Sequence, residues 1–132
     1  MNQSNHKDQS NLKAGRFSLP ARIQSFKYAI GGIRLFFKSE HNARIHLVAT
    51  AAVIIPAILI PVSGTEAIAL TLAIGFVWMA ELFNTAIEKI MDFISAESNP
   101  QIKFIKDISA AAVLIAAGMA FITGCLVFIP KL

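Results

Sequence analysis

Residues 66–94 read EAIALTLAIGFVWMAELFNTAIEKIMDFI, and the character of this stretch changes part-way along. It starts at Glu66 and is apolar through Ala80. From Glu81 through Ile94 it is acidic and amphipathic. On a helix, with about 100° between successive residues, Glu81, Asn84, Glu88 and Asp92 fall in one narrow stripe. Ile87, Ile90 and Met91 lie outside it. At about 1.5 Å per residue, Glu81 stands roughly 20 Å along the axis from Ala67. A hydrocarbon core is about 30 Å thick. Glu81 is therefore expected inside the membrane, with Glu88 about two turns closer to water. An acid at that depth costs on the order of 3 kcal/mol, so a segment selected only to span would not keep it. Two readings account for it: a polar clamp between helices, with Lys106 as partner, or a functional site.

The rest of the chain supports the bilayer. Of 132 residues, 55% are hydrophobic and 15% charged, and the mean hydropathy is +0.61. A soluble domain carries about a quarter charged residues. The net charge is +4. Seven of the twelve Lys and Arg (Lys7, Lys13, Arg16, Arg22, Lys27, Arg34 and Lys38) precede residue 40. With so apolar a body behind them, they point to anionic lipid and not to nucleic acid. The one cysteine, Cys125, sits in an apolar run and is read as a packing residue, which leaves no disulfide or CxxC metal site within the chain. No cleavable signal peptide is visible, so the spans are expected to direct insertion.

The expected organisation is an all-α membrane protein. Residues 1–19 are polar and expected to be disordered, and residues 20–132 form one domain. Pro20 suits a first helical turn. In residues 20–38, Ile23, Phe26, Ile30, Ile33 and Phe37 share a broad face flanked by Arg22, Lys27, Arg34 and Lys38. This reads as an amphipathic helix in the membrane interface. Three spans follow, over about 45–62, 66–95 and 107–129. The first contains Pro56 and Pro61, tolerated in membrane helices where neighbours satisfy the freed backbone. Ser63 or Thr65 can cap the second. The third is rich in Ala, with Gly118 and Gly124, which permits close helix contact. Lys and Arg flank the first span and occupy the loop between the second and third (Lys103, Lys106), whereas the loop between the first and second has none. The positive-inside rule places the N-terminus and the 95–106 loop in the cytoplasm.

Two further polar clusters are expected at that cytoplasmic level: Glu40-His41-Asn42 and Lys106-Asp107. Magnesium takes oxygen ligands, commonly one or two carboxylates plus substrate phosphates, which Glu40 and Glu88 could supply. Lys106 could neutralise phosphate oxygens or merely snorkel. His41 and His46 do not match a zinc spacing, and His46 reads as an interfacial helix residue. No GxxxxGK[ST] loop is present, and Gly31-Gly32 is not a GxGxxG loop.

Glu81-Leu-Phe-Asn84-Thr85-Ala86-Ile87-Glu88-Lys-Ile-Met-Asp92 closely resembles the ELxNTAIExxxD signature of the prokaryotic diacylglycerol kinase family, which includes undecaprenol kinases. Lys106-Asp107-Ile-Ser-Ala-Ala-Ala-Val113-Leu114-Ile115 is similar to that family's KDxxxxAVLI. Glu40-His41-Asn42-Ala-Arg-Ile-His46 resembles the ExNxxxH segment of the undecaprenol branch, as does the closing Phe128-Ile129-Pro130-Lys131-Leu132. The resemblance covers about residues 21–132. It implies a homotrimeric lipid kinase of the bacterial inner membrane, with sites between subunits, that phosphorylates a lipid alcohol from ATP with Mg2+. It implies Glu81 as catalytic base, Asn84 orienting the site, Glu40 and Glu88 holding magnesium, and Tyr28, Glu40, Glu88, Glu97, Lys106 and Asp107 as ATP contacts. The family's arginine falls at the position of Ala21, with Arg22 one residue away. Ala110, Asn42 and His46 tilt the acceptor toward undecaprenol over diacylglycerol. The competing reading is a non-enzymatic carrier of protons or cations using the same carboxylates.

Overall fold

The computed structural model describes residues 18–95, 97 and 99–132; the expected disordered tail lies outside them up to residue 17. The described chain falls into two compact units, the first ending at Leu35 and the second running Phe36–Leu132. Four α-helices follow in order: α1 (Leu19–Ser39), α2 (His41–Leu59), α3 (Gly64–Ile94) and α4 (Pro100–Phe128). A 3-10 turn, Ile129–Lys131, follows α4. Helices α2, α3 and the α4 segment are long and apolar enough to cross a membrane.

In the first unit, the Ser18 carbonyl accepts the Arg22 N–H at 3.2 Å, and α1 is under way at Leu19. Two residues early in α1 close a local contact, Gln24 Nε2 donating to the Tyr28 hydroxyl at 2.8 Å.

The helix boundaries in the second unit have local causes. Glu40 adopts an extended conformation as the N-cap of α2, so this helix starts at His41, ahead of the expected 45. Pro56 sits inside α2 and its carbonyl accepts the Ile60 N–H at 2.8 Å. Ile60 is extended (φ −107°, ψ 139°), as the residue before a proline prefers, and the helix stops at Leu59. Ser63 caps α3 in a reciprocal capping box with Glu66: Ser63 N–H donates to Glu66 Oε2 at 2.8 Å and Glu66 N–H to Ser63 Oγ at 3.3 Å. Asn99 caps α4 through the Gln101 N–H at 2.8 Å, with Pro100 in the first turn. This cap starts the third long helix well before residue 107. Lys103, Lys106 and Asp107 are thus helical residues and not loop residues. Near the opposite end, Lys131 Nζ stands 3.0 Å from Glu66 Oε1, joining the end of the chain to the start of α3.

Burial runs opposite to that of a water-soluble bundle. Leu114 is 74% exposed, Ile58 77% and Phe121 73%, whereas Glu81 is 1% exposed and Asn84 4%. Apolar side chains face outward and the polar stripe faces in, as expected of helices solvated by hydrocarbon. The few buried apolar residues, among them Ala43, Leu70, Val77 and Val127, mark where the helices touch. Helix α3 makes its most extensive packing with α4.

Candidate functional site

The stripe forecast on α3 is real and is graded in depth. Glu81 and Asn84 are buried, Glu88 is half-buried and the Asp92 side chain is 59% exposed. The helical repeat sets this order, because the stripe stays on one face while α3 runs out of the region covered by its neighbours.

Asn84 is held from both sides. Its Nδ2 donates to Glu88 Oε1 at 3.2 Å on its own helix. Its Oδ1 accepts from Ser109 Oγ of α4 at 2.6 Å. The Ser109 hydroxyl also lies 2.9 Å from the Lys106 carbonyl, so one proton serves two acceptors. Sequence reasoning missed Ser109. Its position three residues after Lys106, on the α4 face that meets α3, was the available signal.

Glu81 faces α2. His46 Nε2 stands 3.7 Å from Glu81 Oε2, with side chains 16% and 2% exposed respectively. Asn42 is a further polar neighbour of the Glu81 carboxylate. His46, read from sequence as an interfacial helix residue, therefore lies against the buried acid. His46 falls on the side of α2 that packs on α3, one turn before Thr50. Trp78, one turn before Glu81, packs edge-on against His46 at 6.2 Å and tilted against Phe37 at 5.3 Å. Its indole N–H donates to Thr50 Oγ1 at 3.1 Å. From His46 a cavity of about 440 Å³ extends between α2, α3 and α4, bordered by Ala49, Val53, Val77, Ala120 and Gly124.

Glu40 stands at the head of α2. Its Oε1 is 3.1 Å from Lys89 Nζ and accepts from Ser39 Oγ at 3.0 Å. The Lys89 hydrogen bond holds the Glu40 carboxyl below its ordinary range, outweighing the opposing effect of burial. Glu40 thus stays ionised near neutral pH. The Lys89 contact was not foreseen from sequence. Lys106 Nζ donates to Asp92 Oδ1 at 2.9 Å, so the clamp considered for the acidic stripe does exist, at its exposed end and not at Glu81. Asp107 pairs with Lys103 one turn earlier on α4. Glu97 is exposed in the α3–α4 connection, its N–H donating to Ser95 Oγ at 3.1 Å. Tyr28 belongs to the first unit.

Among the described residues, no group of three or more His, Cys, Asp or Glu is placed to hold a metal by itself. The carboxylates of Glu40, at the head of α2, and Glu88, on the α3 stripe, are nevertheless hard oxygen donors. Such a set fits magnesium whose remaining ligands come from phosphates and water. It does not fit zinc, which prefers nitrogen and sulfur donors in a closed shell.

Residues 27–128 match the family described as prokaryotic diacylglycerol kinase. An undecaprenol kinase of Bacillus subtilis is 38% identical over 120 residues, covering 91% of this chain and 98% of its own length. A diacylglycerol kinase of Synechocystis is 36% identical over 114 residues, 86% of this chain and 65% of its own. A diacylglycerol kinase of Escherichia coli is 31% identical over 104 residues, 79% and 85% respectively. With a match across so much of its length, lying over the same α3 stripe and α4 start that build the site, the chain belongs to the prokaryotic diacylglycerol kinase family.

Proposed function

We propose that this lipid kinase transfers the γ-phosphoryl group of ATP to the hydroxyl of a membrane lipid alcohol, with Glu81 as the base. The acceptor is undecaprenol or diacylglycerol. The near full-length likeness to a protein named undecaprenol kinase supports undecaprenol. In the step, the lipid hydroxyl gives its proton to the Glu81 carboxylate and its oxygen attacks the γ-phosphorus. The bond from that phosphorus to the β-bridging oxygen breaks, and ADP leaves. Such transfer depends on positioning and charge neutralisation more than on covalent chemistry.

One observation carries this reading: Glu81 is 1% exposed at the inner end of a polar stripe whose outer end, Asp92 with Lys106, is open. A lipid alcohol approaches from the hydrocarbon and ATP from water, and the stripe spans the distance between them. The cavity beginning at His46 offers the acceptor's chain an apolar path beside Glu81. Asn84, fixed by Ser109, orients Glu88. Glu40 and Glu88 are the residues that would hold magnesium, Glu40 in place of its contact with Lys89. When bound, the ion supplies neutralising charge to the phosphates. Tyr28, Glu97, Lys106 and Asp107 are assigned to the nucleotide. The enzyme is placed in the bacterial cytoplasmic membrane as a homotrimer, with the N-terminus and the outer end of the stripe in the cytosol and α1 as an amphipathic helix at the interface.

Radiolabelled ATP with mixed lipid alcohols is the direct test. Glu81→Gln is expected to abolish transfer while largely sparing ATP binding. Full turnover in that variant removes Glu81 from the role of base. If the wild type places label in no lipid extract, the carrier reading takes over.

A further inference from the structure

Asn42, His46 and Thr50 are spaced four residues apart on α2, so they form a ridge with one turn between neighbours. Each meets α3. Asn42 and His46 face the Glu81 carboxylate, and Thr50 accepts the Trp78 N–H at 3.1 Å. Trp78 is itself wedged between the His46 ring and Phe37. The imidazole is therefore held between a hydrogen-bonded indole and a buried carboxylate. The 3.7 Å from Nε2 to Oε2 leaves no room for a bridging water, whose two hydrogen bonds need about 5 Å. Catalytic hydrogen bonds are commonly long before substrate binds and tighten only with substrate present.

A carboxylate acting as base must aim one oxygen at the acceptor hydroxyl. On a helix with hydrocarbon on one side, a Glu side chain with three rotatable bonds has no reason of its own to keep that aim. We propose that His46 is a positioning residue for Glu81. Its Nε2 engages Oε2 and so presents Oε1 to the acceptor, while the Trp78–Thr50 bond keeps the imidazole at that height. This role rests on the reading of Glu81 as base and adds to it what holds the base in place. An imidazole present only to pack would not need a ring nitrogen directed at the buried acid. Leucine would fill that space as well.

The experiment compares full-length wild type, His46→Leu and His46→Gln in the same lipid–detergent micelles, with initial rates measured against lipid alcohol and against magnesium-ATP. Small displacements of a reacting group can lower rates by about a hundredfold. Leu is expected to lower kcat by about ten- to a hundredfold with both KM values within about twofold, the signature of an interaction needed in the transition state. Gln, whose amide nitrogen reaches a similar place, is expected to recover at least about tenfold over Leu. The proposal is overturned if Leu keeps kcat within about threefold of wild type, if Gln and Leu fall equally, or if the KM for lipid rises with kcat retained. Should Leu fail to fold, as judged by Trp78 fluorescence and elution volume, His46→Met is read in its place with the same thresholds. A wild type inactive on every lipid alcohol would defeat the kinase reading itself. An active wild type beside an unimpaired Leu variant defeats only the role of His46.

Discussion

Ser109→Ala removes a hydroxyl that ties α4 to the polar stripe of α3, and its consequences can be worked from the contacts. Ser109 is 7% exposed and Asn84 4%. Asn84 Nδ2 is committed to Glu88 Oε1 at 3.2 Å, so its Oδ1 must be the atom facing Ser109, at 2.6 Å. With the hydroxyl gone, Oδ1 is a buried acceptor without a donor. Leaving such a group unpaired costs about 1–3 kcal/mol, or roughly five- to 150-fold in the folding equilibrium. The Lys106 carbonyl loses only a shared contact. The assay is reversible unfolding in mixed micelles as a denaturing detergent replaces a mild one. The single tryptophan, Trp78, reports the transition. A double-mutant cycle with Asn84→Ala then isolates the pair, because without Asn84 the Ser109 hydroxyl has no partner on α3. A coupling of about 1–2 kcal/mol is expected. If the two losses add to within about 0.5 kcal/mol, the ordinary agreement for independent sites, Ser109 does not hold Asn84 and the chain of bonds from α4 to Glu88 is not an energetic unit.

Lys89→Met tests the contact that lowers the Glu40 pKa. The folded state favours the ionised carboxyl, so the pair's contribution is complete above the ordinary unfolded value near 4.3 and disappears as pH falls through the lower folded value. The stability gap between wild type and variant is therefore expected to be about 0.2–1 kcal/mol at pH 7 and to close in strong acid; a gap of equal size at every pH would exclude the pair as its source. Glu88→Gln is expected to raise the magnesium concentration needed for half-maximal transfer by at least about tenfold, with lipid KM little changed, and an unaltered magnesium titration of initial rates would strip Glu88 of its metal role.

Much of this could be read from the chain because two periodicities coincide. The apolar run from Ala67 to Ala80 sets the helix, and the spacing of Glu81, Asn84, Glu88 and Asp92 sets the face. Both survive in α3 because nothing breaks the helix between Ser63 and Ser95. What was not legible depended on caps and on partners from other helices. Helix α4 starts at Pro100, ahead of the expected span from about 107, because Asn99 and Pro100 form a local start signal independent of hydropathy, whereas Lys103, Lys106 and Asp107 resemble loop residues by charge. Glu40, the cap of α2, with Lys89 of α3, Asn84 with Ser109 and Glu81 with His46 each pair residues from different parts of the chain. Periodicity within one helix fixes which face a residue lies on. It carries no information on which residue of the next helix arrives opposite, because that is set by the register of packing.

The register between α2 and α3 has an identifiable lock, and it bears on why the acid is tolerated. Trp78 and Glu81 are one turn apart on α3, and Thr50 and His46 one turn apart on α2. Bonding of Trp78 to Thr50 therefore brings His46 to Glu81 by the shared helical rise, without a separate device for the catalytic level. A slip of α2 by one turn would break the indole bond and strand the carboxylate opposite Thr50 or Asn42. The same slip would leave Glu81 without a cationic or imidazole neighbour in surroundings where an unpaired acid is expensive. The polar stripe thus penalises its own misalignment. The groups read as chemistry are also those that choose one packing of otherwise interchangeable apolar helices, where Leu, Ile and Ala alone discriminate poorly between registers because lipid competes equally for them.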